Sequence, residues 1–185
     1  MKDKFTLKAI DEGYRARSVY KLIFLNKKYN VIRSKDNVLD LGAWPGSWMQ
    51  VCLDIGASVI GVDIKQITSM QGGKFILGDI YDLKILEKIK KYEKYDVVLS
   101  DLAPKTTGIN DQELSFDLSE QALDITREVL KENGSFVCKM FQGPNFSGFL
   151  KELKKSFSFV KSVKPEASKK KSTEMYFVCK GYKNI

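Results

Sequence analysis

Short apolar runs alternate along the chain with longer segments in which apolar residues recur every three or four positions. The short runs predict seven strands, at residues 37–42, 58–63, 74–79, 95–101, 134–140, 157–163 and 174–180. The longer segments predict five helices, at about residues 15–28, 47–55, 82–92, 113–132 and 145–155. Because the two kinds of element alternate, the pattern predicts an α/β fold.

Apolar residues in the predicted strands are continuous and do not alternate with polar ones. Continuous apolar strands are typical of a parallel sheet that helices cover on both faces. The last two strands are joined only by residues 164–173, which is short for a helical crossover and predicts an antiparallel final pair. We therefore expect residues 1–185 to form one domain, a doubly wound sheet whose last strand is antiparallel.

Composition narrows the class of protein. With 43% hydrophobic and 29% charged residues the chain is predicted to be globular, and its formal charge of +8 favours an anionic partner such as nucleic acid. Three cysteines, Cys52, Cys138 and Cys179, lie in apolar runs and form no C-x-x-C pair. We therefore predict neither a disulfide framework nor a metal site.

The sequence contains no apolar stretch that approaches the length of a membrane span, and its first residues carry no secretory signal. We expect a monomer that works inside a cell and not in a membrane. The cytoplasm, the nucleus or nucleolus, and the mitochondrion remain open as its compartment, since a transit peptide could be missing from this chain.

The segment VLDLGAWPGSW, residues 38–48, joins the first predicted strand to a helix. Ligands of doubly wound sheets bind at the carboxyl ends of the strands, where Gly42 and Gly46 would let the backbone approach closely. The spacing G-x-x-x-G differs from the G-x-G-x-x-G of pyrophosphate binders. A nucleoside is therefore favoured over a dinucleotide.

Acidic residues end three of the predicted strands. Asp63 could accept hydrogen bonds from ribose hydroxyls, and Asp79 could meet an adenine amino group. Singly, such residues are more often helix caps, but together with Asp101 they suit a ligand that carries hydroxyls, amines and a positive charge. S-adenosylmethionine has all three.

Two tryptophans and two lysines could have a functional role or could be ordinary packing or solvated residues. We expect Trp44 to be an ordinary packing residue, and Trp48 could be one too. Lys21 lies in an amphipathic helix, where a lysine is normally solvated. Lys139 lies in a run that should be buried, where a lysine is costly unless it is paired or used.

Seven segments together resemble the FtsJ/RrmJ family of RNA ribose 2′-O-methyltransferases nearly from end to end. They are EGYRARSVYKL, DLGAWPGSWMQV, GVDI, LGDI, SDLAPKTTG, SFVCKMFQG and KPEASKKKSTEMYFV. The resemblance implies a Rossmann-like methyltransferase fold of seven strands. It also implies a catalytic tetrad of Lys21, Asp101, Lys139 and Glu174, and S-adenosylmethionine contacts at Gly46, Trp48, Asp63, Asp79 and Asp101.

The resemblance further implies a role for each member of the tetrad. Lys139 would be the general base and Asp101 would orient it, while Lys21 would hold the ribose and Glu174 would brace the lysines. Lys21 would favour the neutral amine of Lys139 and the two carboxylates would favour its ammonium, so the balance stays open. Where the family commonly has GAAPGGW, this chain has GAWPGSW, which changes the methionine end of the pocket.

Basic residues border the tetrad in the implied fold and predict a surface for RNA phosphates. The predicted RNA-binding residues are Tyr14, Arg15, Arg17, Lys164, Lys169, Lys170 and Lys171. Lysine runs are usually solvated faces, but these two segments converge on one place. Tyr14 and Phe141 could stack an unpaired base or could be packing residues.

The compact form of the chain is most similar to the ribosomal branch of the family, which implies large-subunit ribosomal RNA of bacterial or organellar type as the substrate. Transfer RNA and the cap of messenger RNA are the alternatives. A nicotinamide oxidoreductase would need G-x-G-x-x-G and hydride-transfer residues that this sequence lacks. A non-catalytic RNA-binding module would not need the tetrad.

Overall fold

The computed structural model describes residues 3–105, 108, 110–169 and 171–183. One sheet contains β1 (Asn37–Leu41), β2 (Ser58–Asp63), β3 (Gly73–Leu77), β4 (Tyr95–Ser100), β5 (Leu130–Phe141), β6 (Phe157–Val163) and β7 (Glu174–Tyr182). The helices are α1 (Lys4–Asp11), α2 (Val19–Tyr29), α3 (Ser47–Ile55), α4 (Leu83–Lys90), α5 (Asp111–Val129) and α6 (Phe146–Ser156).

The strand order across the sheet is β3-β2-β1-β4-β5-β7-β6. Strands β1 to β5 pair in parallel, whereas β7 lies between β5 and β6 and is antiparallel to both. The predicted doubly wound sheet and its antiparallel last strand are confirmed. In the β5–β7 register Phe141 is opposite Glu174 and Lys139 is opposite Tyr176, so the start of β7 lies beside the carboxyl end of β5.

Both faces of the sheet are buried under helices. Leu39 of β1 belongs to the core cluster that contains residues of α4, α5 and α6. The preceding residue, Val38, belongs to the cluster that contains residues of α1, α2 and α3. Successive side chains of a strand point to opposite faces, so the apolar side chains of β1 pack into both core clusters.

Some element boundaries differ from the predicted ones. The helix predicted from residue 15 begins at Val19, and α1 was not predicted. The helix predicted to reach residue 132 ends at Val129, because Leu130 already pairs with Tyr95 as the first residue of β5. The β4–β5 register then shifts around Asn133, whose φ is 62°, before the main run of β5.

Within the described ranges, no helix combines the length and the apolar character that crossing a membrane requires. The three cysteines are buried and free.

Candidate active site

The four residues of the predicted tetrad lie together as two ion pairs. Nζ of Lys21 is 2.7 Å from Oε1 of Glu174, and Nζ of Lys139 is 3.1 Å from Oδ1 of Asp101. The Lys139 ammonium also donates a 2.7 Å hydrogen bond to the backbone oxygen of Asp101. We call these four residues the ion-paired cluster.

The topology explains why residues so distant in sequence meet. β4 and β5 are parallel neighbours with Ser100 opposite Cys138, so the next residues, Asp101 and Lys139, emerge side by side. β7 runs antiparallel to β5 and begins with Glu174 at the same edge of the sheet. Lys21 comes from α2 on the same side.

Burial makes the pairing of these charges necessary. Lys139 is only 6% exposed and Glu174 only 8%. An unpaired charge in such a position is strongly unfavourable, whereas a paired and hydrogen-bonded charge is tolerated. The predicted cost of burying Lys139 is therefore offset by Asp101.

Tyr176 was not predicted from the sequence. Its hydroxyl donates a 2.6 Å hydrogen bond to Oδ1 of Asp101, and Nζ of Lys21 lies 5.6 Å from the centre of its ring. Burial and the Asp101 carboxylate raise the pKa of Tyr176 well above its usual value, so the hydroxyl remains a donor. Tyr176 is two residues after Glu174 on one strand, a spacing that places both side chains on the same face.

The charge state of Asp101 follows from its surroundings. Burial by itself raises the pKa of Asp101. The ammonium groups of Lys139 and Lys21 and the Tyr176 hydroxyl outweigh burial, so the pKa is lowered from its ordinary value. Asp101 is therefore a carboxylate at neutral pH.

A further buried acid, Asp40, was also not predicted. It lies on β1, is fully buried, and neither of its carboxyl oxygens has a hydrogen-bond partner among the described residues. Burial, with the nearby charges of Asp101 and Asp63, raises the pKa of Asp40 well above its ordinary value.

A cleft of about 490 Å³ adjoins the ion-paired cluster at the carboxyl ends of β1, β2 and β4, and we call it the cofactor cleft. Asp101 is part of its wall. Three more of the predicted cofactor residues, Gly42, Asp63 and Asp79, also line it. A Cβ at Gly42, where φ is +79°, would lie 3.0 Å from the backbone nitrogen of Leu102, so only glycine suits this close approach.

The two acids that were predicted to bind an adenosine are held by backbone groups. Asp63 accepts hydrogen bonds from the backbone N–H groups of Trp44 at 2.9 Å and Lys65 at 2.8 Å, one on each carboxylate oxygen. Asp79 accepts one from Tyr81 at 3.0 Å. A carboxylate has about four acceptor positions, so both acids can accept further hydrogen bonds from a ligand.

Gly46 and Trp48 do not line the cofactor cleft. Trp48 is 3% exposed, and its Nε1 donates a 2.9 Å hydrogen bond to the backbone oxygen of Ser18. A Cβ at Gly46 would lie 2.8 Å from Nη1 of Arg15. The Trp48 side chain is thus packed in the protein, and the predicted cofactor contacts of Gly46 and Trp48 stay predictions.

The expectation that Trp44 is a packing residue was wrong. Trp44 is 51% exposed and lines the cofactor cleft, and Nζ of Lys65 lies 4.5 Å from the centre of its ring. The turn after β1 directs this side chain outwards, whereas Trp48, on the first turn of α3, faces the core.

Three of the predicted RNA-binding residues have partners within the protein. The Arg15 guanidinium donates to the backbone oxygens of Pro45, Thr68 and Ser69 at 3.2, 2.8 and 3.1 Å. Arg17 contacts Asp3 and the backbone oxygen of Ala167, and the Tyr14 hydroxyl donates to Asp54. Arg15 and Arg17 therefore join loops to one another.

The lysines that precede Glu174 are more exposed. Lys164 donates a 2.7 Å hydrogen bond to the backbone oxygen of Ser172. Lys169 and Lys171 are exposed, and neither ammonium forms an ion pair within the part of the chain that is described. Lys170 lies outside the described residues.

A family model described as FtsJ-like methyltransferase matches residues 14–182. A protein from Archaeoglobus fulgidus named ribosomal RNA large subunit methyltransferase E is 45% identical, over 99% of this chain and 97% of its own length. A protein of the same name from Wolbachia pipientis wMel is 40% identical, over 98% of this chain and 96% of its own length.

Solved structures have the same fold. A ribosomal RNA methyltransferase from Plasmodium falciparum is 31% identical, with a TM-score of 0.81 over 91% of this chain and 98% of that chain. Human methyltransferase-like protein 13 in complex with SAH is 15% identical, with a TM-score of 0.57 over 78% of this chain and 71% of that chain, and shows the fold alone.

The predicted Rossmann-like fold, methyltransferase class and dependence on S-adenosylmethionine are confirmed. Because the family model matches most of the chain and relatives match nearly all of it at 40% identity or more, the chain belongs to the FtsJ-like methyltransferase family.

Proposed function

We propose that this protein transfers a methyl group from S-adenosylmethionine to a ribose 2′-hydroxyl of RNA, and that the RNA belongs to the large ribosomal subunit. One observation carries the proposal: Asp101 lines the cofactor cleft and also binds Lys139, so the cleft and the ion-paired cluster share a residue. The names of the relatives from A. fulgidus and W. pipientis support the choice of RNA.

The cofactor cleft fits an adenosyl group in size and chemistry. Its volume of about 490 Å³ lies in the range of small-molecule sites. Asp63 would accept from the ribose hydroxyls and Asp79 from the adenine amino group, while Ile64 and Ile80 supply apolar wall. S-adenosylmethionine, when bound, supplies a methyl group on a positively charged sulfur that is open to in-line attack.

Lys139 has the position that a general base requires. The ribose hydroxyl must lose a proton during the transfer, and the sequence has no histidine to accept it. In our proposal Nζ of Lys139 accepts this proton as a neutral amine. Asp101 holds Nζ through both its carboxylate and its backbone oxygen, which fixes the direction in which the amine points.

Lys21 and Glu174 complete the charge balance. When Lys139 is protonated, the cluster holds two ammonium groups and two carboxylates and is buried without a net charge. In our proposal Lys21 holds the acceptor ribose and Glu174 braces Lys21 at 2.7 Å.

The segment before Glu174 is our proposed phosphate contact. Lys169 and Lys171 are exposed. In sequence they shortly precede Glu174 of the ion-paired cluster, and Lys170 lies between them. Lys164 supports this segment through the Ser172 carbonyl. The exposed ammonium groups of Lys169 and Lys171, which form no ion pair among the described residues, can neutralise RNA phosphates.

We also propose that residues 1–185 act as one domain and as a monomer, inside the cell where ribosomal RNA is found. Asp101, Lys139 and Glu174 follow or belong to β4, β5 and β7 of one sheet, and Lys21 comes from α2, so the ion-paired cluster is complete within one domain. Light scattering during gel filtration would test the monomer, with a dimer as the contradicting result.

Methylation assays with two RNA sources would test the proposed function. Large ribosomal subunits and total transfer RNA, both from cells that lack this protein, would be incubated with the protein and S-adenosylmethionine carrying a labelled methyl group. We expect label at one ribose of the large-subunit RNA. Label confined to transfer RNA, or on a base instead of a ribose, would contradict the proposal.

A further inference from the structure

A cavity of about 790 Å³, larger than the cofactor cleft, lies beside the ion-paired cluster. Its wall includes Phe141, two residues after Lys139, and Thr173, the residue before Glu174. Other described wall residues come from the start of α5 and the two described residues before it, from the end of β5 and the loop after it, and from the segment before β7. The cavity has no wall residue in common with the cofactor cleft.

This location constrains what can enter the cavity during methyl transfer. The acceptor oxygen must meet the methyl carbon in line with the sulfur, so the acceptor ribose and the cofactor approach the cluster from different sides. The base and the phosphates are attached to ribose carbons near C2′. A nucleotide whose 2′-oxygen reaches Lys139 from this side therefore places either its base or a phosphate in the cavity.

The charges of the wall favour a base. Asp111 and Glu113 lie in the first turn of α5, whereas Lys171 is the single cation of the described wall. The two carboxylates offset the positive end of the helix dipole, which would otherwise attract an anion. A phosphate is therefore disfavoured beside the start of α5, away from the proposed phosphate contact Lys171, and an uncharged base is not.

The uncharged groups of the wall also suit a base. Gln112 and Asn145 carry amides, Thr173 carries a hydroxyl and Phe141 contributes a ring. Amides and hydroxyls can donate and accept hydrogen bonds at base edges, and aromatic rings stack on unpaired bases. One wall thus combines both modes by which proteins recognise a single base.

Hydrogen bonds within the protein hold the backbone that carries Phe141 and Thr173. The backbone N–H of Phe141 donates a 2.9 Å hydrogen bond to Oγ of the buried Ser115, and the backbone oxygen of Thr173 accepts one of 2.9 Å from Gln142. A Cβ at Gly143 would lie 2.9 Å from Oε1 of Gln112. The absence of a side chain at Gly143 therefore leaves room for the Gln112 amide.

We propose that this cavity, the base pocket, holds the base of the nucleotide whose ribose is methylated. The argued residues of the base pocket are Gln112, Phe141, Gly143, Asn145 and Thr173. This inference rests on the proposed function, since it concerns the same RNA and the same ion-paired cluster. According to this inference, contacts with the base contribute to turnover, so the protein recognises the base as well as the sugar and phosphates.

The test pairs protein variants with a missing base. Large ribosomal subunits would be reconstituted with ligated RNA that is either intact or abasic at the mapped nucleotide. Phe141→Leu and Gln112→Ala would be compared with wild type and with Gln71→Ala, a control at an exposed glutamine outside both cavities. S-adenosylhomocysteine titrations would show that each variant keeps its cofactor site.

We expect removal of the base to lower wild-type kcat/KM by about 5- to 150-fold, which corresponds to the 1–3 kcal/mol typical of stacking one base on an aromatic ring. Phe141→Leu and Gln112→Ala should lose activity on intact RNA and much less on abasic RNA. Equal wild-type rates on both RNAs, or equal losses by the variants on both, would overturn the base pocket. No transfer by wild type to either RNA would overturn the proposed function, and the base pocket with it.

Discussion

The Tyr176 hydroxyl donates a 2.6 Å hydrogen bond to the carboxylate of Asp101, which in turn binds Lys139 at 3.1 Å. Tyr176 therefore acts on the amine through Asp101, as a positioning residue in the proposed mechanism. It also helps to keep Asp101 ionised, because its hydroxyl is one of the groups that lower the pKa of that acid.

Tyr176→Phe should lower the rate of methyl transfer while leaving cofactor affinity unchanged. A hydrogen bond to a charged group contributes about 1.5–3 kcal/mol, so a loss of about 10-fold or more in kcat is expected if much of this acts in the transition state. Single-turnover rates and cofactor titrations would check both. Tyr182→Phe is the matched control, because Tyr182 lies on the same strand and its hydroxyl donates to the backbone oxygen of Arg127 instead. A similar loss of rate in both variants would contradict the positioning role.

Asp63→Ala should weaken S-adenosylmethionine by about 10- to 100-fold. It removes the proposed ribose contact, worth about 1.5–3 kcal/mol for a charged acceptor. It also frees the backbone N–H groups of Trp44 and Lys65 that shape the cofactor cleft. Calorimetric titration would measure the loss. Asp96→Ala removes an acid paired with Lys131 at the opposite end of the sheet and should leave the affinity unchanged.

Much of the fold was predictable because the apolar runs of the strands are continuous and lie between clear helical periods. The strands β1, β2, β4 and β6 are within one residue of their predicted bounds. Helix α1 escaped prediction because it has only eight residues and leaves Leu7 and Ile10 exposed, which weakens its amphipathic pattern. The early start of β5 was not predicted, because it depends on the pairing of Leu130 with Tyr95, which is distant in sequence.

The site was predictable where residue type and strand position were sufficient. Acids that end parallel strands must meet at one edge, which is why Asp63, Asp79 and Asp101 share the cofactor cleft. Whether the Trp44 and Trp48 side chains are exposed or buried depends on the turn between them, which sequence periodicity does not describe. The sequence pattern could not show that backbone carbonyls bind the Arg15 guanidinium, because their positions depend on the folded loops.

Substitution of the lysines before Glu174 should weaken RNA binding, whereas substitution of Arg15 should affect the stability of the protein. Combined Lys169→Ala and Lys171→Ala should weaken RNA binding and reduce the slope of log affinity against log salt by about 0.7–0.9 for each phosphate that is no longer neutralised. Arg15→Ala should leave that slope unchanged. It should instead lower the free energy of unfolding by about 1–3 kcal/mol, because it removes charge-assisted hydrogen bonds to two loops.

Binding measured over a range of salt concentrations, with urea unfolding of each variant, would check both outcomes. A reduced salt slope for Arg15→Ala with unchanged stability would return Arg15 to the RNA surface. An unchanged slope for the double lysine variant would make those lysines a solvated face.

Asp40 should make the stability of the protein depend on pH. Below about pH 3.9 its carboxyl is protonated in both the folded and the unfolded chain; above it, the unfolded chain loses the proton first, because burial raises the pKa of folded Asp40. The folded state therefore loses relative stability as pH rises through the window above the unfolded pKa. Asparagine has no such proton to lose.

Asp40→Asn should accordingly gain stability relative to wild type as the pH rises from about 5 to about 8. Urea unfolding of both proteins at several pH values would measure the difference. A difference that stays constant over this range would show that the folded and unfolded Asp40 titrate alike, contrary to its burial without partners among the described residues.

Lys139→Arg tests the central claim most directly, that the amine of Lys139 accepts the ribose proton. Arginine keeps the positive charge near Asp101 but stays protonated at any working pH, so it cannot act as a base. Single-turnover methyl transfer to large ribosomal subunits would be measured for this variant, with cofactor and RNA affinities as controls. We expect both affinities to stay near wild type and transfer to be abolished. Transfer at a rate near that of wild type would contradict the account.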